Sequence, residues 1–388
     1  TTKSVTITEP TVMGATISQT SVFCNGGSNG TASVIASGGS GSYTYSWSPS
    51  GGTAATASGL TAGEYTVTKT DANGCFITKS VTITQPVAMS ATISQTNVSC
   101  NGGSNGTASV VPSGGAGNYT YSWSPSGGTA ATAIGLSAGT YTVTVTDSNG
   151  CVRADSVTVT EPTALSVSIA NRENVSCNGG ADGSIVLTVS GGNGPYEYIL
   201  NDSQTYTSGT INNLGAGSHT VKIRDKNNCE KSISFVIDEP SILNATITTT
   251  QVSCNSAIDG TATATVTGGT SSYNYEWINS SNVTIAITAV PSLSGLSGGD
   301  YTLKVTDSQG CIVTAAFTIT VPDILEASIV STEAVSCFGD NNGRVTVTVS
   351  GGTATYIYQW FNSSNVAIST TTVPSLSVIV AGNYTVTI

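Results

Sequence analysis

The 388 residues carry 22 acidic against 11 basic side chains, a net charge of −11, and only 9% are charged at all. No basic stripe is present, which removes the electrostatic term that drives nucleic-acid binding, and no run of about 18 apolar residues is long enough to span a bilayer. Gly, Ser, Thr, Val, Asn and Ala dominate, and regular Val-Thr-Val alternation broken by Gly and Asn reads as strands and turns, so the chain is expected to be all-β.

Its length is several times the roughly 100 residues of one β-sandwich, so several domains are expected. The first residues, Thr1-Thr2-Lys3-Ser4-Val5, are strand-like and unlike a signal peptide. Residues 1–10 close on Glu9-Pro10 and read as the last strand of a preceding repeat. From there self-similarity governs the chain. Cys24, Cys100, Cys177, Cys254 and Cys337 recur every 76, 77, 77 and 83 residues, each in a turn such as Ser-Cys-Asn-Gly-Gly-Ser-Asn-Gly (99–106). Cys75, Cys151, Cys229 and Cys311 form a second series, each closing a turn such as Asp-Ser-Asn-Gly-Cys (147–151). The first series marks a leading turn and the second a closing turn. Prolines 10, 86, 162, 240 and 322 end the units. Complete repeats are therefore expected at 11–86, 87–162, 163–240 and 241–322. A fifth, 323–388, lacks its final strand, and aligning Tyr384 with Tyr301 places the next closing-turn cysteine at about position 394.

Within the second repeat, residues 89–99 predict a first strand and Gly106–Ser113 a second. Tyr119-Thr120-Tyr121-Ser122-Trp123 alternates large and small side chains at period two and predicts a third. A variable Gly-Ala-Thr segment follows, without a predicted strand. Residues 135–147 supply the next strand, and the Ser148-Asn149-Gly150 turn leads into the last, Val152–Thr160. Pro162, with no N–H, ends the ladder. A Trp on the third strand and a Tyr early on the penultimate strand match an Ig-like core. Trp47, Trp123, Trp277 and Trp360, with Tyr65, Tyr141, Tyr301 and Tyr384, are the expected core. The third repeat has Leu200 in the Trp position and His219, the single histidine, in the Tyr position. A structural substitution is the expected role of His219. In the fourth and fifth repeats the segment after Trp277 and Trp360 is longer, which predicts an extra edge strand.

The ordered motifs Ser-Cys-Asn-Gly-Gly-x-Asp/Asn-Gly, Tyr-x-Tyr-x-Trp, Ala-Gly-x-Tyr-Thr-Val, Asp-x-x-Gly-Cys and Thr-Ile-Thr-Glu-Pro resemble the SprB-type repeat of Bacteroidota surface and gliding-motility adhesins. The resemblance covers nearly the whole chain. It departs at Asn255-Ser256-Ala257 and Phe338-Gly339-Asp340. It implies tandem Ig-like β-sandwiches in an elongated rod, export by the type IX system and a place at the Gram-negative cell surface or in an extracellular filament.

Nine regularly spaced cysteines without a short Cys-x-x-Cys knuckle indicate disulfides in an oxidising compartment rather than zinc. Two pairings are open. Within repeats the pairs would be Cys24–Cys75, Cys100–Cys151, Cys177–Cys229 and Cys254–Cys311. In Ig order, however, the leading and closing turns of one sandwich lie at opposite ends, separated by over about 20 Å, while bridged Cα atoms lie within about 7 Å. Between repeats the pairs would be Cys24–Cys151, Cys100–Cys229 and Cys177–Cys311, leaving Cys75, Cys254 and Cys337 to partners outside these residues.

The expected function is that of a stalk or filament segment of a large adhesin, giving reach and multivalent attachment, with neighbouring repeats as its first partners. Surface glycans and other filament subunits are further expected partners. A carbohydrate-binding array is the alternative, using Tyr119, Tyr121 and Trp123 as a stacking platform, and spacer repeats of a secreted enzyme are another. Asp147, Glu161 and Asp182 are calcium candidates near repeat ends. Donor-strand exchange between subunits is a further idea, since residues 1–10 resemble a final strand and the fifth repeat lacks one. One histidine and scattered carboxylates form no acid–base or nucleophile–base constellation, so no catalysis and no cofactor are expected. Asn-x-Ser/Thr sequons at Asn97, Asn118 and Asn174 follow from composition, and Asp155-Ser156-Val157 matches the family's glycosylation pattern at one place.

Overall fold

Alternation along the second strand of the first repeat sets its architecture. Gly30, Ala32 and Val34 turn inward and are buried, while Thr31 and Ser33 turn outward. A computed structural model describes residues 1–388. In the first repeat β1 (Gly14–Thr20), β2 (Gly30–Ser37) and β4 (Thr56–Leu60) form one antiparallel sheet in the order β1-β2-β4. The other sheet joins β3 (Thr44–Ser48), β5 (Gly63–Thr70) and β6 (Phe76–Ile83) in the order β3-β5-β6. The second repeat has the same plan: β7 (Ser90–Thr96), β8 (Gly106–Ser113) and β10 (Thr132–Leu136) against β9 (Thr120–Ser124), β11 (Gly139–Thr146) and β12 (Val152–Val159). Each repeat therefore divides its strands as an Ig-like sandwich does.

Strand β10 begins in the segment without a predicted strand and takes Gly135 and Leu136 from the start of the predicted strand 135–147, while β11 begins only at Gly139. Only Ala133 and Leu136 face inward, Ile134 is exposed, and the pairing with β8 slips between Ile134 and Leu136. Gly135 takes φ +71° at that bulge, a conformation that costs glycine little. The slip destroys the period-two pattern from which a strand is read.

Between the two sheets of the second repeat, Trp123, Tyr141, Val143, Val145, Leu136 and Val159 pack with the small Ala108 and Ala133. Gly106 is required by closeness: a Cβ there would lie 2.7 Å from Val159 Cγ1 and 2.8 Å from the Leu136 carbonyl. All four tryptophans are buried, as are Tyr65, Tyr141 and Tyr301. Tyr384 is only half-buried, because the sheet beside it lacks an outer neighbour. Leu200 is buried in the Trp position. His219 sets Nε2 3.0 Å from the Gly215 carbonyl and stacks on Phe235, which reproduces the bond from Tyr141 Oη to the Ser137 carbonyl four residues back. In the first repeat Lys69 is wholly buried where the second has Val145. Its Nζ donates to the carbonyls of Gly14 and Ser37 and lies 3.9 Å from the centre of the Tyr43 ring.

The chain divides into two compact units. One comprises Thr1–Ser168, Thr188–Ser208 and Val221–Ile233, and the other Ile169–Leu187, Gly209–Thr220 and Ser234–Ile388. In the first unit Glu197–Leu200 pairs with Gln204–Tyr206 on one side and residues 221–224 on the other. In the second unit the longer segments after Trp277 and Trp360 form the predicted edge strands, Thr284–Thr288 and Ala367–Thr371. The fifth repeat keeps a groove of about 680 Å³ lined by Val335, Gly343, Val345, Trp360, Ile379 and Tyr384. In the first, second and fourth repeats the glycine equivalent to Gly343 faces Ile83, Val159 or Ile319 from the final strand. Residues 1–13 form no strand and are almost wholly exposed. No helix is long and apolar enough to cross a membrane.

Candidate functional site

The recurrent polar structure of this chain lies where one repeat passes into the next. At each passage the proline carbonyl accepts a hydrogen bond from the leading turn of the repeat being left: Asn25, Asn101, Asn178 and Asn255 donate through Nδ2 to Pro86, Pro162, Pro240 and Pro322 at 3.0, 3.1, 3.0 and 3.2 Å. The carbonyl of the next residue, Val87, Thr163, Ser241 or Asp323, accepts from the backbone of the repeat being entered. The donors are the N–H groups of Gly115, Gly192, Gly269 and Gly352, at 2.7–2.8 Å. Two consecutive carbonyls are thus held from opposite sides, which leaves the linker no slack.

Disulfides brace three of these junctions. Cys24 pairs with Cys151, Cys100 with Cys229 and Cys177 with Cys311, with Cα separations of 5.6, 5.6 and 5.7 Å. Each joins the leading turn of one repeat to the closing turn of the next. The within-repeat pairing is absent, and the geometry of the second repeat explains why. Cys151 immediately precedes β12, whereas the Asn101-Gly102 turn beside Cys100 bonds to Glu161 and Pro162, just beyond its end. Eight residues of extended strand, about 26 Å, separate the two. Cys75, Cys254 and Cys337, the first two counted among the disulfide cysteines in the sequence reading, are exposed thiols here. Beside two of the bridges an asparagine of the closing turn adds a bond: Asn149 Nδ2 donates to the Phe23 carbonyl and Asn227 Nδ2 to that of Ser99, at 3.0 and 3.1 Å. Gln309 stands in that place at the third bridge.

The closing-turn aspartates hold their turns together. Asp147, a calcium candidate, is buried and spends its carboxylate on backbone donors: Oδ1 accepts from Asn149 and Cys151, and Oδ2 from Ala116. Asp71, Asp225 and Asp307 make the same three bonds in their repeats. This carboxylate ties the closing turn to the neighbouring turn and fixes the cysteine's backbone in place. Burial pushes the Asp147, Asp225 and Asp307 carboxyls up, but the backbone N–H groups together outweigh it and all three lie below their ordinary range. At Asp71 the bond from Ser40 leads, and the carboxyl is again lowered. The Asp-x-x-Gly-Cys spacing was the available signal.

The other two calcium candidates serve the leading turns separately. Glu161 accepts from Asn101 Nδ2 and from the Gly102 N–H at 2.9 and 2.6 Å. Gln85 does the same for Gly26 at 2.7 Å, so the role needs an acceptor oxygen and not a charge. Asp182 accepts from the backbone and hydroxyl of Ser176, and Asn105 replaces it at the Ser99 backbone. The three carboxylates are thus engaged at three different turns, and no group of three or more His, Cys, Asp or Glu residues gathers in the chain. The aromatic trio does not form an open platform either. Trp123 is buried with Nε1 donating to the Ala130 carbonyl at 2.9 Å, Tyr119 donates to the Gly114 carbonyl, and both tyrosines pack partly against the core. At the single glycosylation-pattern site, Asp155 is paired with Arg153 and Ser156 shares a hydrogen bond with Thr142.

Comparison with known families agrees with this periodicity: residues 16–52, 92–129, 169–205, 246–282 and 329–365 each match the SprB repeat. The chain carries five SprB repeats. Each match begins in the first strand of its SprB repeat and runs past the leading turn to the Tyr/Trp strand or just beyond it. No curated protein matches the chain. Among solved structures, a tetra-tandem repeat from the extending region of a large adhesion protein is 18% identical, covering 80% of this chain and 100% of that one at a TM-score of 0.29. Invasin, a bacterial integrin-binding protein, is 14% identical over 82% of each chain at 0.33. The eight N-terminal Ig domains of Down Syndrome Cell Adhesion Molecule are 10% identical at 0.25, over 84% of this chain and 62% of that one. At such TM-scores these likenesses carry no argument, and the Ig-like description of the SprB repeats rests on their own strand order.

Proposed function

We propose that the five SprB repeats form a stalk segment of a large secreted cell-surface adhesin, holding attachment sites away from the cell and presenting them many times over. The carrying observation is the junction: two linker carbonyls clamped from both sides, and three of the four junctions closed by a disulfide. Such a junction suits a part whose task is to keep a distance. Stretches 11–86, 87–162, 163–240, 241–322 and 323–388 are the successive folding units of this stalk. Disulfides that persist favour an oxidising, extracellular setting. In that setting the family resemblance favours export by the type IX system and a part in gliding motility. The role is mechanical and not catalytic. The aspartates at the closing turns are engaged by backbone donors, and six of nine cysteines are bridged.

Small-angle scattering on the 388-residue chain tests the stalk. An advance of about 35–45 Å per repeat gives a maximum dimension of roughly 200 Å, shortened by about 40 Å when residues 87–162 are deleted. A maximum dimension below about 100 Å would overturn the reading. Beads coated with the five-repeat chain are expected to hold a surface more firmly than beads coated with two repeats at equal mass, because weak sites gain by number.

A further inference from the structure

The pattern of bridges has a mechanical consequence that the individual disulfides do not. A load applied to the ends of a cross-linked chain is borne by the shortest covalent route between them. From Cys24 to Cys311 that route crosses the Cys24–Cys151 bridge, follows residues 151–177, and crosses the Cys177–Cys311 bridge. It holds about 26 residue steps, roughly 90 Å at full extension, whereas the same interval without bridges would reach roughly 1000 Å. The two bypassed loops, with sequence separations of 127 and 134, contain β2 to β11 and the strands from Gly183–Ser190 to Gly299–Thr306.

We infer that the staggered bridges make the interval from Cys24 to Cys311 a covalent tension member, in which load runs along β12 and the strand Ser166–Glu173 and cannot draw out the strands of the bypassed loops. The route itself has little left to give. β12 and the strand Ser166–Glu173 are already extended, and between them the carbonyls of Pro162 and Thr163 are both hydrogen-bonded. An unbridged repeat of this size would add roughly 270 Å of chain each time it unfolded. Here that length is locked inside loops closed by cystine. The middle bridge, Cys100–Cys229, ties the first bypassed loop to the second and lies off the shortest route. The inference deepens the stalk reading and rests on it only for the source of the load.

Force–extension measurement on single oxidised chains, held by their two termini, tests it. The interval from Cys24 to Cys311 is expected to contribute about 26 residue steps of contour, rising to about 287 on reduction. The double variant Cys100→Ser/Cys229→Ser leaves the short route intact and extends like the parent. The double variant Cys24→Ser/Cys151→Ser forces the route through residues 24–100, the Cys100–Cys229 bridge and residues 229 back to 177. Its interval is then about 128 steps, a roughly fivefold lengthening. Equal lengthening in the two variants, or more than one full-length unfolding step of a whole repeat in the oxidised parent, would overturn the inference, the fifth repeat lying outside the bridged interval. Intrinsic tryptophan fluorescence of each variant reports that the sandwiches are folded. If either variant fails to fold, the parent with and without reductant gives the same decision. A freely extending oxidised chain would defeat the tension path while leaving the scattering and bead results of the stalk reading as they are.

Discussion

Trp123 and Trp277 hold equivalent places in two sandwiches, yet their indole N–H groups meet different surroundings. Trp123 donates to the Ala130 carbonyl, while the buried Nε1 of Trp277 has no acceptor, because the edge strand Thr284–Thr288 replaces the loop that supplies one. Replacing Trp123 by Phe removes a satisfied bond and replacing Trp277 by Phe removes an unsatisfied donor. The first is therefore expected to cost more, by about 1–2 kcal/mol, in paired denaturant titrations. The closing-turn aspartates make a second residue-scale prediction. Their folded carboxyls titrate below the unfolded value, so the unfolded chain binds more protons as pH falls through that range. Their contribution is complete above about pH 5 and is lost as pH drops through the lowered folded values. Melting temperatures should be level between pH 5 and 8 and fall below about pH 4, and Asp147→Asn should lower the neutral plateau and soften part of the acid limb.

At the scale of the element, the leading turn asks for acceptor oxygens. Glu161→Gln should lower the melting temperature only slightly, since Gln85 already holds Gly26 in the first repeat and only the bond from Asn101 to the second oxygen is lost, and addition of EDTA should change nothing. Asn101→Ala, by contrast, removes donors to both Glu161 and Pro162 and should destabilise by about 1–2 kcal/mol, read by the same titration. The strands themselves were mostly legible. Tyr119 to Trp123 and the Val-Thr-Val run of β11 show their period in the letters. Strand β10 was not, because its bulge at Gly135 breaks the alternation. Nor does any local pattern announce that Lys69 sits in the core, since its burial depends on two carbonyls from β1 and β2 and on the Tyr43 ring.

For the whole molecule, each bridge closes a loop of about 130 residues and constrains the unfolded chain by about 5 kcal/mol in a chain-entropy account. Calorimetry before and after reduction should show a lower and broader transition once the bridges are open, with the repeats losing their coupling. A transition unchanged in midpoint and width would remove the bridges from the stability of the array.

Repeat length, strand alternation and the positions of the Trp/Tyr core follow from the sequence alone, since each expresses a local period that any sandwich of this kind must satisfy. Which cysteines meet was decided only in three dimensions. Both pairings draw on the same two series of cysteines. They differ in whether β12 separates the two turns or delivers them to one place, and that depends on where the final strand ends relative to the next repeat's first turn. The fate of Asp147 was decided the same way. A carboxylate beside a turn reads alike as ligand or clamp until folding brings the N–H groups of Ala116, Asn149 and Cys151 around it.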